Sequence, residues 1–230
     1  MARRKGKKKL HLALLAGVGI TAALAYRASS GRPIEARVKK ELEKRYGEEA
    51  AERVLATFHT EYDELRKDGR KAAGIMRFHL ASARQGLALY RALDRELGSA
   101  GDAVDAAHEI IWEAFLKTPS ILLGYLLGMT ADPFAVYARG VDWVNTHIFP
   151  PAGWDGSKVE VESGVGFDYT RCFYDDYLRE QEAPELTPIF CEIDVRQAEC
   201  FPTCIQFVRT QMLSKGDDLC DFRFYRKEKT

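Results

Sequence analysis

The 230-residue sequence predicts an α+β fold, a helical half packed on a small antiparallel sheet that carries its own helices. Three observations point there. Apolar residues recur at three- and four-residue steps from about 34 to 149, the period of amphipathic helices. The stretch PPAGWDGS at 150–157 then breaks the pattern with Pro and Gly. From 158 onward the apolar residues alternate in steps of two, the period of half-buried strands, with short helical stretches between. A chain of this length buries a substantial core, and residues 32–230 are read as one domain behind a separate N-terminal segment.

That segment, 1–31, holds seven Lys/Arg and no acid. It contains LHLALLAGVGITAALAY at 10–26, seventeen residues with His11 and Thr21 as the clearly polar members, close to the shortest run that crosses a bilayer. The reading is a single-pass membrane anchor. The alternative is a cleaved signal peptide, since ALA at 23–25 resembles a cleavage site. Basic residues flank the run on both sides, so its orientation is open.

SSGRP at 29–33 is a linker. Residues 34–97 read as two long helices, with Val38, Leu42, Val54, Phe58 and Leu65 on the apolar face of the first and Gly69 as its end. The second carries Ile75, Phe78, Leu87, Tyr90 and Leu93 and stops at Gly98. SAGDAVDAAHEIIWEAFLKTP predicts a helix with Asp102 as cap candidate, ending before Pro119. SILLGYLLGM at 120–129 is too short to span a membrane and reads as a buried helix. A further helix starts at Pro133, a residue suited to a first helical turn. In the last third, 158–172 predicts a strand with Val159, Val161, Val165, Phe167 and Tyr169 on one face. FYDDYLREQ is a short helix. A second helix enters through Pro184 and places Cys191 and Asp194 together at i,i+3. CIQFVRTQML, SKGDD and LCDFRFYR form a strand, a turn and a returning strand. The terminal strand offers a thiol, Cys220, on one face and a carboxylate and a guanidinium, Asp221 and Arg223, on the other.

The formal net charge is zero, from 34 basic and 34 acidic residues. With seven of the basic residues in the tail, the body carries about −7. An acidic body argues against nucleic acid as a partner, because phosphate binding needs a basic face. All five cysteines lie between 172 and 220. An odd number does not make a disulfide framework, and such clustering favours a site. Cys200 and Cys204 have a spacing compatible with zinc or with a local disulfide, but no CxxC pair exists and every His precedes the β-rich third, so no metal is assigned. GVGF at 164–167 has too few glycines for a dinucleotide fingerprint, and no cofactor is assigned.

The run YTRC at 169–172, FYDDYLREQEAPELTPIFCEID at 173–194, FVRTQML at 207–213 and GDDLCDFRF at 216–224 together resemble the L-2-amino-thiazoline-4-carboxylic acid hydrolase family. The likeness is carried by the C-terminal third, about 158–226. The chain has RTQM where the family has RTQT, and Cys200 and Cys204 are additional thiols. The resemblance implies a hydrolase that adds water across the C=N of a cyclic amidine and opens the ring. Such chemistry needs a nucleophile, a donor for developing charge and an anchor for a carboxylate. Cys172, Cys191 and Cys220 are candidate thiol nucleophiles, provided a positive neighbour lowers their pKa. Asp194 is the candidate to orient water or a proton. Arg171, Arg209, Gln211, Asp221 and Arg223 are the candidate substrate contacts. The expectation is that the hairpin brings Cys220 beside Thr210, Gln211 or Met212, under the helix bearing Cys191 and Asp194.

Each candidate also has a structural explanation. Cys220 alternates with Phe222 and Phe224 as a small buried residue would, and Asp221 and Arg223 suit outer-face pairing. The partner is a small molecule, with the membrane reached through residues 10–26. A non-catalytic small-molecule or lipid-binding module on that anchor is the alternative function.

Overall fold

A computed structural model describes residues 32–227 and has the α+β architecture. The run at 10–26 lies outside the described residues. Six helices come first: α1 (Arg32–Tyr46), α2 (Glu48–Arg66), α3 (Met76–Leu97), α4 (Ala100–Ile111), α5 (Lys117–Gly128) and α6 (Pro133–His147). The two long helices expected over 34–97 are therefore three. The chain breaks at Gly47, whose φ of 82° is left-handed and open to glycine at no steric cost. Basic Lys44 and Arg45 close α1, and acidic Glu48 and Glu49 open α2, each favourable to its helix dipole.

Two further boundaries differ from expectation. The α4 cap is Ser99, whose side chain accepts from the Asp102 amide, so Asp102 sits in the first turn. The helix does not end before Pro119. A five-residue π-turn, Trp112–Leu116, joins α4 to α5. It lies one turn upstream of Pro119, where the ring removes an amide donor and crowds the preceding turn. The whole run Gly101–Gly128 is long and apolar enough to cross a membrane by length and composition. A soluble core helix meets the same criterion. In the first half of this run Ala103, Ala107 and Ile110 are fully buried.

The sheet has order β1-β2-β4-β3, all antiparallel, from β1 (Trp154–Val159), β2 (Gly164–Cys172), β3 (Ile205–Val208) and β4 (Cys220–Arg226). Helices α7 (Phe173–Glu180) and α8 (Thr187–Glu199) lie between β2 and β3. The Pro/Gly break at 150–157 contains most of a strand, and 158–172 is not one strand: 158–159 end β1, the chain turns at Ser163 with φ 54°, and 164–172 form β2. The strand expected over CIQFVRTQML keeps its ladder only to Val208.

Packing follows two clusters. One joins Leu42, Val54, Leu87, Leu93 and Ile110 of the helical half to Tyr177, Leu178 and Leu186 of the later elements. The other covers the inner sheet face, where Val165, Phe167 and Tyr169 of β2 and Cys220 and Phe224 of β4 meet Leu127, Phe134 and Phe201. Burial of such side chains stabilises by roughly 1.5–3 kcal/mol each relative to exposure.

Candidate functional site

The alternation of β4 puts Cys220 on the inner face beside Tyr169, its partner in the ladder, and Asp221 opposite Asp168 on the other. On β2 simple alternation from Tyr169 would turn Arg171 inward. A bulge intervenes: Gly156 pairs with Tyr169 and Asp155 with Arg171, so β2 carries one extra residue. A bulge re-aims the side chains beyond it. Cys172, paired with buried Trp154, thereby shares the inner face with Tyr169. Cys172 also precedes α7, and the amides of Asp175 and Tyr174 face its sulfur.

Helix α8 crosses this face. Asp194 and Cys191, one turn apart, are both held by Arg209: Nη1 lies 3.2 Å from the Asp194 carboxylate, and Nη2 donates to the Cys191 carbonyl at 2.9 Å. The rings of Phe207 and Phe222 flank the guanidinium at 5.7 and 5.3 Å. The Cys191 sulfur lies 3.6 Å from the Ser214 hydroxyl, and the Cys220 sulfur accepts from the Leu213 amide at 3.3 Å. The expected partner of Cys220 is thus displaced from 210–212 to Leu213.

Burial sets the protonation states here. It raises the Asp194 carboxyl to about 6 against the opposing pull of Arg209. The Asp194 side chain nevertheless keeps 36% of its surface accessible, whereas Arg209 keeps 4%. The carboxyl is enclosed by protein on most sides while part of its side chain reaches solvent. Its charge is felt by Tyr137 of α6, Tyr169 of β2 and Tyr174 of α7, whose phenols burial holds above their usual range. The thiols are raised as well, by burial first: Cys172 to about 12, where Cys191 and Cys220 add to the effect, Cys191 to about 11, and Cys220 in the same direction. The condition for a thiolate nucleophile, a pKa lowered by a positive neighbour, is not met at any of the three. Arg209 acts in that direction on Cys191 and Cys220 and is outweighed.

The other candidates lie elsewhere. Arg223 pairs with Asp168 at 2.6 Å and donates to the Phe167 carbonyl on the outer face. Arg171 is exposed, donates to the Pro151 carbonyl and lies 4.0 Å from Asp176. Asp221 accepts from the Thr210 amide (2.7 Å), the Thr210 hydroxyl (2.8 Å) and the Gln211 amide (2.6 Å). Burial opposes ionisation, yet these hydrogen bonds hold its carboxyl below the usual range. Beyond Val208 this clamp holds 210–211 to β4 in place of regular ladder pairing, and Gln211 is exposed. Cys200 and Cys204 are free thiols outside this group.

Sequence reasoning missed His79 and the aromatic cluster around Tyr174. Buried His79 of α3 meets the Ile148 carbonyl through Nε2 at 2.7 Å and the Tyr174 hydroxyl through Nδ1 at 2.9 Å. The carbonyl only accepts, so Nε2 carries the proton and Nδ1 accepts from Tyr174. Burial lowers the His79 pKa to about 4, so the ring is neutral. Trp154 packs edge-on against it at 4.6 Å, and Tyr174 stacks on Phe190 of α8 at 4.4 Å. The apolar neighbours Phe78 and Leu80 in the sequence were the one local hint that His79 sits on a buried face.

Comparison with known proteins extends the resemblance well beyond the C-terminal third. A family model described as L-2-amino-thiazoline-4-carboxylic acid hydrolase matches residues 27–224, helical half included. No curated protein matches the chain. Solved structures that match include a mutant H-NOX protein from S. oneidensis in the Fe(II) ligation state, with 12% identity, TM-score 0.34 and coverage of 87% of this chain and 98% of that one. Another is a mutant H-NOX protein from K. algicida in its Fe(II) unliganded form, with 11% identity, TM-score 0.33 and coverage of 86% and 97%. Overlaps at those TM-scores carry no argument about this chain.

Proposed function

The chain belongs to the L-2-amino-thiazoline-4-carboxylic acid hydrolase family, and on that premise we propose that it opens a C=N or C–N bond of a small carboxylate-bearing cyclic amidine at Asp194. The observation that carries this reading is the Asp194 carboxyl, raised by burial to about 6, steadied by Arg209 and still open to solvent on part of its surface. A base titrating near neutrality and partly open to solvent is suited to proton transfer. Water attacks the amidine carbon while Asp194 takes its proton. That proton passes to the former imine nitrogen, and the tetrahedral carbon then collapses to the carbonyl by expelling the ring heteroatom, which takes the hydroxyl proton through Asp194. The neutral phenol of Tyr169, within the field of Asp194, donates to the substrate. Arg209 is the arginine of the three candidates that contacts Asp194. It positions Asp194 and supplies the positive charge that an acidic substrate group meets. Residues 10–26 hold the protein to a membrane as a single pass.

A second reading, attack by Cys172, is favoured by its place before α7, where the amides of Asp175 and Tyr174 oppose the effect of burial. Turnover of a thiazoline carboxylate by the full chain separates the two. Asp194→Asn should lose about 10²–10⁴ in kcat, the usual worth of a general base, with the folded circular dichroism spectrum retained. The wild-type kcat should fall below pH 6 as Asp194 takes up its proton. Cys172→Ser and Cys220→Ser should stay within a few-fold of wild type. Loss on Cys172→Ser with the fold intact establishes covalent attack instead. Binding at Asp194 without turnover establishes the non-catalytic module.

A further inference from the structure

The sequence reads 120–129 as a buried helix, yet α5 is buried on one side only. Ser120, Gly124 and Leu127 face inward, and a Cβ on Gly124 would stand 1.8 Å from the Cys200 carbonyl oxygen, so the helix is pressed against the end of α8. The opposite side presents Ile121, Leu122 and Tyr125, continued by Met129 at the C-cap, exposed by 53, 47, 65 and 66%. These are four of the five large apolar side chains exposed among the described residues. They fall at helical spacing on one face. No Asp, Glu, Lys or Arg lies between Lys117 and Asp132. A continuous apolar face of this kind marks an interaction surface.

We propose that the Ile121, Leu122, Tyr125 and Met129 face of α5 lies in the headgroup–acyl boundary of a lipid bilayer, which fixes the orientation of the domain on the membrane. The proposal rests on the reading of 10–26 as an anchor. The point at which the chain leaves the described domain argues for lipid as the occupant. Helix α1 begins at Arg32, and Arg37 donates to the Ala114 carbonyl in the π-turn that leads into α5. Only 27–31 separate the apolar run from α1, and five residues extend over at most about 17 Å. From Ala114 to Ile121 is roughly 10 Å of helix at 1.5 Å per residue. An anchored chain therefore holds this face near the bilayer at high effective concentration. Tyr125, the one aromatic residue of the four, has the ring-and-hydroxyl character that favours the interface. Partition of such a face scales with its apolar area.

The test uses the full chain reconstituted in phosphatidylcholine–phosphatidylglycerol vesicles, with flotation followed by hydroxyl-radical footprinting. Oxidation at each residue is normalised to its rate in the urea-unfolded chain. Tyr125 and Met129 should be protected several-fold relative to His59 of α2, whose side chain is 50% exposed. In Leu122→Glu/Met129→Glu, which alters only exposed positions, the chain should still float while Tyr125 becomes as reactive as His59. Flotation with Tyr125 and Met129 unprotected overturns the proposal and leaves the anchor standing. Failure to float removes the anchor, and the proposal with it. Protection that appears only at many chains per vesicle makes a second copy the occupant and also overturns it.

Discussion

Acid should weaken this fold through His79. The ring is 2% exposed, packed among Phe78, Phe149, Trp154 and Phe173, and held neutral between the Ile148 carbonyl and the Tyr174 hydroxyl. Its pKa falls from 6.5 to about 4 because burial penalises the imidazolium. The unfolded chain takes up this proton near pH 6.5 and the folded chain only near 4. Stability contributed by His79 is therefore full above 6.5 and is lost as pH falls from 6.5 towards 4. Keeping the ring neutral across that window costs on the order of 3 kcal/mol by linkage. For a domain of this size that is a drop of roughly 6–12 °C in Tm. Asp194 acts in the opposite sense. Its folded pKa of about 6 lies above the 3.8 of the free carboxyl, so its contribution is full below 3.8 and is lost as pH rises through 6. The wild type shows the difference of the two, and a His79 variant isolates one. His79→Gln keeps a donor for Ile148 and removes the titration. Melts followed by circular dichroism at pH 7.5, 6, 5 and 4.5 should show wild type losing more stability than His79→Gln over that range, even though the variant starts lower. Parallel pH profiles would refute a neutral buried His79.

Gly124→Ala should destabilise by about 1–3 kcal/mol, since its Cβ meets backbone rather than a flexible side chain, and this outweighs the roughly 1 kcal/mol of helix propensity gained. Gly128→Ala is the control: the nearest atom to its Cβ is Pro202 Cγ at 3.9 Å, so its urea midpoint should hold or rise. Asp221→Ala leaves the amides of Thr210 and Gln211 without their acceptor and should cost about 1–3 kcal/mol for each group that stays buried. Hydrogen exchange should quicken across 209–212, while Asp221→Asn, which keeps one acceptor oxygen, loses less.

Much of the fold was legible locally. The change of period near 150 marks the junction between helices and sheet, and the alternation of β4 separates Cys220 from Asp221 and Arg223 as the ladder does. The i,i+3 spacing that pairs Cys191 with Asp194 is a property of one helix, and Arg209 now ties both together. These features depend on backbone geometry within a few residues, which a sequence states directly. The rest depends on residues far apart in the chain. Trp154 is a strand residue inside a Pro/Gly run because β2 supplies its ladder. The bulge that turns Cys172 inward exists only in the pairing of two strands. His79 and Tyr174 meet across 95 positions. The protonation of the thiols and of Asp194 follows from how much packed protein surrounds them, and for the thiols it runs opposite to what nearby arginines suggest. The sequence by itself determined which residues share a helix face or a strand face. Tertiary structure decided which faces meet and which groups lose water, because desolvation in a packed interior outweighs the charge of a single neighbour.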